Sequence, residues 1–100
     1  MALTGVWDVT IKTPIGSLAV VYEFDESTDR PTGSATLKGE TVQLQDLVVS
    51  GSRVTWRQAV TKPMRLNLDF DVVVEGDRLT AHSRAGRLPR SEVHGARISG

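Results

Sequence analysis

Two histidines, one tyrosine and no cysteine are the groups of this 100-residue chain best suited to proton transfer, nucleophilic attack or soft-metal binding. Ser83 follows His82 directly, and side chains alternate in direction along a strand, so the two face opposite sides of a sheet and cannot form a Ser-His-Asp nucleophile. Asp71, His82 and His94 can instead form an outward row on neighbouring strands. The row offers a carboxylate-oriented histidine, but no third strong ligand completes it. It is read as solvated cross-strand pairs, and no metal site is expected. No Gly-rich loop leads into a helix to cradle phosphates, and no cofactor is expected.

A second set of groups lies on apolar faces. Tyr22, Gln58 and Ser83, with Ser91, alternate into positions otherwise occupied by hydrophobic residues, where each must find a partner or address a ligand. An enzyme built on them would isomerise, cyclise or eliminate, with Tyr22 as the acid and Asp46 as the base if the backbone turned Asp46 inward.

Charge is unevenly distributed. Twelve basic and twelve acidic side chains cancel, yet residues 1–50 carry a net charge of −4 and residues 51–100 a net charge of +4. Lys12, Lys38, Lys62, Arg65, Arg84, Arg87 and Arg90 fall at one end of the strands they belong to. Asp8, Glu23, Asp25, Glu26, Asp29, Glu75 and Asp77 fall at the other, partly offset by Arg30, Arg53 and Arg78, while Glu40 and Glu92 are local acids at the cationic end. A cationic end concentrates anions, and Lys62, Arg84, Arg87 and Arg90 are the candidates to hold one. The zero net charge and only five aromatic residues point away from nucleic acid. No apolar run reaches the roughly 20 residues of a membrane span. The first residues lack a secretory pattern and cysteine is absent, so a cytoplasmic location is expected.

The elements that would position these groups are strands throughout. Hydrophobic alternation of period two runs over 5–13, 17–25, 32–38, 41–50, 53–62, 64–75, 78–84 and 90–99. Turn residues interrupt it at Pro14–Gly16, Glu26–Pro31, Gly39–Glu40, Gly51–Ser52, Pro63, Gly76–Asp77 and Ala85–Pro89. A two-residue turn at Gly76–Asp77 pairs Glu75 with Arg78, Asp71 with His82 and Asp69 with Arg84 on one face. Val74 then meets Leu79, and Val72 meets Ala81, on the other. A turn at Gly39–Glu40 pairs Leu37 with Val42 and points Val42 and Leu44 inward, while the Gly51–Ser52 turn points Leu47 and Val49 inward. Positions 44 and 47 differ in parity, so a β-bulge is predicted near Gln45–Asp46. Eight strands with short connections give an all-β, antiparallel, up-and-down meander barrel, a single domain over residues 1–100 in which the last strand pairs with the first. The predicted interior is Trp7, Val9, Ile11, Leu18, Val20, Tyr22, Phe24, Ala35, Leu37, Val42, Leu44, Val54, Trp56, Gln58, Val60, Leu66, Leu68, Phe70, Val72, Val74, Leu79, Ala81 and Val93.

Gly5-Val6-Trp7 on the first strand resembles the Gly-x-Trp motif of the lipocalin, or more broadly calycin, family, and Arg97 on the last strand resembles the arginine that packs over its tryptophan. The segment from Pro63-Met64 through Val74 to Gly76-Asp77 is similar to compact lipocalin-like domains of bacteria. The family's Thr-Asp-Tyr-type motif and flanking helix are not present. The resemblance implies an eight-stranded barrel sealed at the Trp7 end. With the cationic far end, it implies binding of a small hydrophobic molecule bearing a carboxylate, its body against Tyr22, Trp56 and Gln58 near Ser83. An isomerase, cyclase or lyase using the same pocket is the enzymatic alternative. An oligomeric interaction module, self-associating through outward Val6, Ala19, Val21, Val48, Val73 and Ile98, is the third.

Overall fold

A computed structural model describes residues 3–13, 16–27, 29–60, 66–86 and 88–99. Among them nine antiparallel strands form one sheet: β1 (Gly5–Thr13), β2 (Gly16–Asp25), β3 (Thr32–Leu37), β4 (Glu40–Gln43), β5 (Gln45–Ser50), β6 (Arg53–Val60), β7 (Leu66–Glu75), β8 (Arg78–Arg84) and β9 (Ser91–Ser99). Their order is β4-β3-β2-β1-β9-β8-β7-β6-β5. Strand β9 pairs with β1, from Val6 opposite Ser99 to Ile11 opposite Val93, so the first and last strands meet as expected. The described residues contain no helix long and apolar enough to cross a membrane.

The ninth strand arises from a kink. Residues 41–50, expected as one strand, divide at Leu44: β4 pairs with β3, then the chain swings away and β5 pairs with β6. The two outermost strands of the sheet are thus successive in the chain, and the wall curls into a nearly closed barrel. The amide of Leu44 still donates to the Gly33 carbonyl at 2.9 Å. The parity conflict is resolved where it was anticipated. Gln45 faces Arg57 and Val48 faces Thr55, which leaves one extra residue on β5, and Asp46 takes a φ of +53°. Asp and Asn tolerate this left-handed conformation better than most residues, so the bulge and its residue are matched.

Turn chemistry sets the other registers. Gly76–Asp77 joins β7 to β8 with Glu75 opposite Arg78, Asp71 opposite His82 and Asp69 opposite Arg84, as predicted. The β3–β4 turn differs. It is centred on Lys38–Gly39, both with positive φ (+50° and +83°), and Leu37 faces Glu40 while Ala35 faces Val42. Two central residues of positive φ give a type I′ turn, whose twist suits a hairpin. The resulting slip is two residues, an even number, so Val42 and Leu44 still point inward and pack on the core.

The core holds Trp7, Val9, Ile11, Val20, Tyr22, Phe24, Ala35, Val54, Trp56, Phe70, Val72, Val74, Leu79, Ala81 and Val93, with Leu18, Leu37, Val42, Leu44, Leu47, Val49 and Leu68 packed against it. One member was not foreseen: Leu3, ahead of the first strand, is 1% exposed. It plugs the barrel floor. The Glu26 carboxylate accepts from the amides of Leu3 (3.2 Å) and Thr4 (2.9 Å) and from the Thr4 hydroxyl (2.9 Å), holding this segment across the opening. Trp7 Nε1 donates to the Leu3 carbonyl at 2.8 Å. Over the indole lies Arg97, its guanidinium carbon 4.6 Å from the ring centroid. Arg97 also donates to Asp77 Oδ1 (2.8 Å), to the Gly76 carbonyl (3.0 Å) and to the Thr4 carbonyl. On β9, Gly95 makes room for Val9 and Leu79, since a Cβ there would stand 2.8 Å from Val9 Cγ2 and 3.0 Å from Leu79 Cγ.

Candidate functional site

Alternation along β2, β6 and β8 carries Tyr22, Trp56, Gln58 and Ser83 into the barrel, and all four are at most 4% exposed. Tyr22 Oη donates to Gln58 Oε1 at 2.6 Å, and Trp56 Nε1 donates to the same oxygen at 3.3 Å. Four rings fill the space around them. Tyr22 lies 5.9 Å from Phe24, 5.3 Å from Trp56 and 6.2 Å from Phe70, and Trp56 stacks on Phe70 at 5.0 Å. Burial raises the Tyr22 phenol pKa above its usual value, with the hydrogen bond to Gln58 opposing only in part. A phenol so placed keeps its proton at neutral pH and gives its hydrogen bond to Gln58.

Asp46 does not join this group. The bulge leaves it exposed on the outer wall, so the inward carboxylate that a base would require is not formed. It borders a cavity of about 410 Å³ together with Thr55 and Arg57 of β6, Asp69 and Asp71 of β7, His82 and Arg84 of β8, and Arg90 just before β9. Trp56 and Phe70 complete the lining. A neighbouring cavity of about 280 Å³ shares Asp71 and His82 and adds Arg53, Thr80, Glu92 and His94. The outer face of β5–β9 is therefore a continuous polar trough.

Ion pairing in the trough follows a different neighbour from the one the β7–β8 hairpin suggested. Asp71 and Asp69 sit opposite His82 and Arg84, but their carboxylates turn to β6: Arg53 Nη2 reaches Asp71 Oδ2 at 2.5 Å, and Arg57 Nε reaches Asp69 Oδ1 at 3.0 Å. The hydrogen bond from Arg53 is the main cause holding the Asp71 carboxyl below the usual carboxylate range, assisted by the Arg53 and His82 charges. Consequently, among the described residues, Arg84, Arg90 and Asp46 have no ion-pair or side-chain hydrogen-bond partner.

Register also revises the histidine row. Across from His82 on β9 is Glu92, while His94 is opposite Thr80 and only 3.9 Å from Glu92. No group of three or more His, Cys, Asp or Glu among the described residues is arranged to hold a metal ion. Of the cationic end, Lys12 approaches Glu92 at 3.9 Å. Lys62 and Arg87, with Arg65, Pro14, Met64 and the expected kink at Pro63, lie outside the described residues, as do the side chains of Val60 and Leu66.

Known protein families, curated proteins and solved structures were all compared with the chain, and none matches. The trough itself was missed by sequence reasoning. Its signal was available in one place: Ser83 pairs with Ser91, and Arg84 and Arg90 are the next residues beyond that pair, two cations bordering one cavity.

Proposed function

We propose that the protein is a binding module for a small molecule carrying a carboxylate or comparable anionic group, held by Arg84 and Arg90. The observation that carries this reading is that both arginines border the 410 Å³ cavity without an acidic partner, whereas Arg53 and Arg57 on the same face are neutralised by Asp71 and Asp69. Two cations bordering one cavity without an ion-pair partner leave positive charge there, and an anion supplies the charge-assisted hydrogen bonds they lack. The cavity falls within the usual size of small-molecule sites. In this reading Tyr22, Trp56, Gln58 and Ser83 belong to the core, and the ligand sits on the outer wall near Trp56. The arginine over the floor tryptophan supports a lipocalin-like ancestry of the barrel. A cytoplasmic location is part of the same reading, supported by the cysteine-free composition.

Titration followed by tryptophan fluorescence, with a hydrophobic acid and its methyl ester, tests the proposal. The acid should bind about tenfold more tightly at low salt, as one charge-assisted contact provides, and the advantage should shrink as salt screens the exposed arginines. Equal affinity for acid and ester, or saturable binding of neither, would overturn it. Self-association is a second reading, favoured by Val48 and Ile98, which are 56% and 61% exposed. Sedimentation over a range of concentrations decides it.

A further inference from the structure

The trough has neutral ground in its middle and opposite charges at its ends. Resting on the anion-binding reading above, we infer that its ligand is bipolar: an elongated small molecule with an anionic group for Arg84 and Arg90 and an ammonium or comparable hydrogen-bond donor for Asp46. The central strands spend their charges on each other, Arg57 with Asp69 and Arg53 with Asp71. On β5, one strand beyond, Asp46 has no partner among the described residues, and it borders the same cavity as the two arginines. Nor is its position an accident of alternation. The bulge inserts it as the extra residue of β5 at a φ of +53°, and bulges re-aim side chains in just this way.

The dimensions select the ligand's shape. Strands β5 and β8 are separated by three inter-strand spacings, about 14 Å at roughly 4.8 Å each. Long arginine side chains shorten this gap from one side, which leaves a distance that a chain of several methylenes can bridge and a compact amino acid cannot. The short Thr55 side chain, midway on β6, offers a hydroxyl without blocking the path. An ω-amino acid is the simplest molecule of this class.

Isothermal titration with ε-aminocaproate, caproate and hexylamine tests the inference. ε-Aminocaproate should bind more tightly than caproate by roughly fivefold at low salt, the equivalent of one exposed ion pair of about 1 kcal/mol. Asp46→Asn should erase that advantage while leaving caproate binding unchanged, because Asn also tolerates a left-handed backbone and preserves the bulge. Arg84→Gln with Arg90→Gln should abolish binding of both acids. Circular dichroism of each variant verifies the fold. If caproate and ε-aminocaproate bind equally and both depend on the arginines, the bipolar ligand is wrong and the anion site stands. If neither binding event depends on the arginines, or neither occurs, both readings fall.

Discussion

The floor of the barrel and the trough on its wall each centre on arginine, and they use it in opposite ways. Arg97 is fastened on every side: indole below, Asp77 in front, and the carbonyls of Thr4 and Gly76 around its nitrogens, with the side chain only 16% exposed. Arg84 and Arg90 are exposed and fasten to nothing among the described residues. The same side chain is a structural bolt where backbone acceptors and an aromatic face converge, and an available charge where the carboxylate opposite it, Asp69 for Arg84, is already held by another arginine. Residue type does not distinguish these roles; the inventory of acceptors does.

The comparison is broken most directly at Arg97. Arg97→Ala removes the cation–π contact and leaves the floor carbonyls without their donor, so denaturant unfolding should register a loss of about 3 kcal/mol. A loss below about 0.5 kcal/mol would place Arg97 in the same class as the trough arginines. Next in size is Tyr22→Phe, which takes the closer of two donors from the buried Gln58 oxygen and should cost about 1–2 kcal/mol at neutral pH. Tyr22 is the sole tyrosine, so phenolate absorbance reports it alone. Its folded-state pKa is raised, so its stabilising contribution is complete below the unfolded value of about 10 and is lost as pH rises above it. The variant should lack this alkaline loss of stability. A phenol that titrates normally in the folded protein would show the aromatic core to be wet.

Smaller effects sharpen the other side. Arg84→Gln with Arg90→Gln should change stability by less than about 0.5 kcal/mol, since both arginines are exposed and lack an ion-pair partner among the described residues. A clear destabilisation would mean that these arginines are bolts as well. Smallest is the effect of Arg53→Gln, read by nuclear magnetic resonance titration. The depressed Asp71 pKa should return toward about 3.9. In the parent protein the contribution of this pair is present above that pH and fades as acid brings Asp71 through its lower folded value. An unchanged Asp71 titration would assign the depression to His82 instead.

Sequence made the β7–β8 hairpin readable because it rests on local chemistry with one solution, whereas the contact of Arg97 with Trp7, from opposite ends of the chain, was readable through the resemblance that paired them. Gly76 starts a two-residue turn, the turn fixes register, and register puts Val72 and Val74 inside. The bulge was readable as a contradiction between two turns. The β3–β4 turn was misplaced by one position, because a lysine with positive φ is not the residue a type I′ turn calls for, and Gly39–Glu40 offered the glycine first. Leu3 escaped because it precedes the alternating pattern and is held there by Glu26, more than twenty residues away. The trough escaped for another reason. Parity says whether a side chain faces out, but a carboxylate between two basic strands chooses its partner by reach and geometry, and that choice left Arg84, Arg90 and Asp46 unpaired. Tyr22, Trp56, Gln58 and Ser83 were legible in the sequence as inward-facing residues, and the structure buries all four.

The kink at Leu44 has a consequence for how the barrel assembles. It separates a meander of β1–β4 from one of β5–β9, each zipped by hairpins between neighbours in sequence, and among the described residues only the β1–β9 ladder joins distant parts of the chain. Local ladders form early, and the long-range closure sets the pace of folding. Divided at that kink, residues 1–44 carry a net charge of −3 and residues 45–100 one of +3. The two halves of the chain attract before any contact is made. Opposite charge should steer this closure, so refolding followed by tryptophan fluorescence should slow as salt shortens the reach of that attraction.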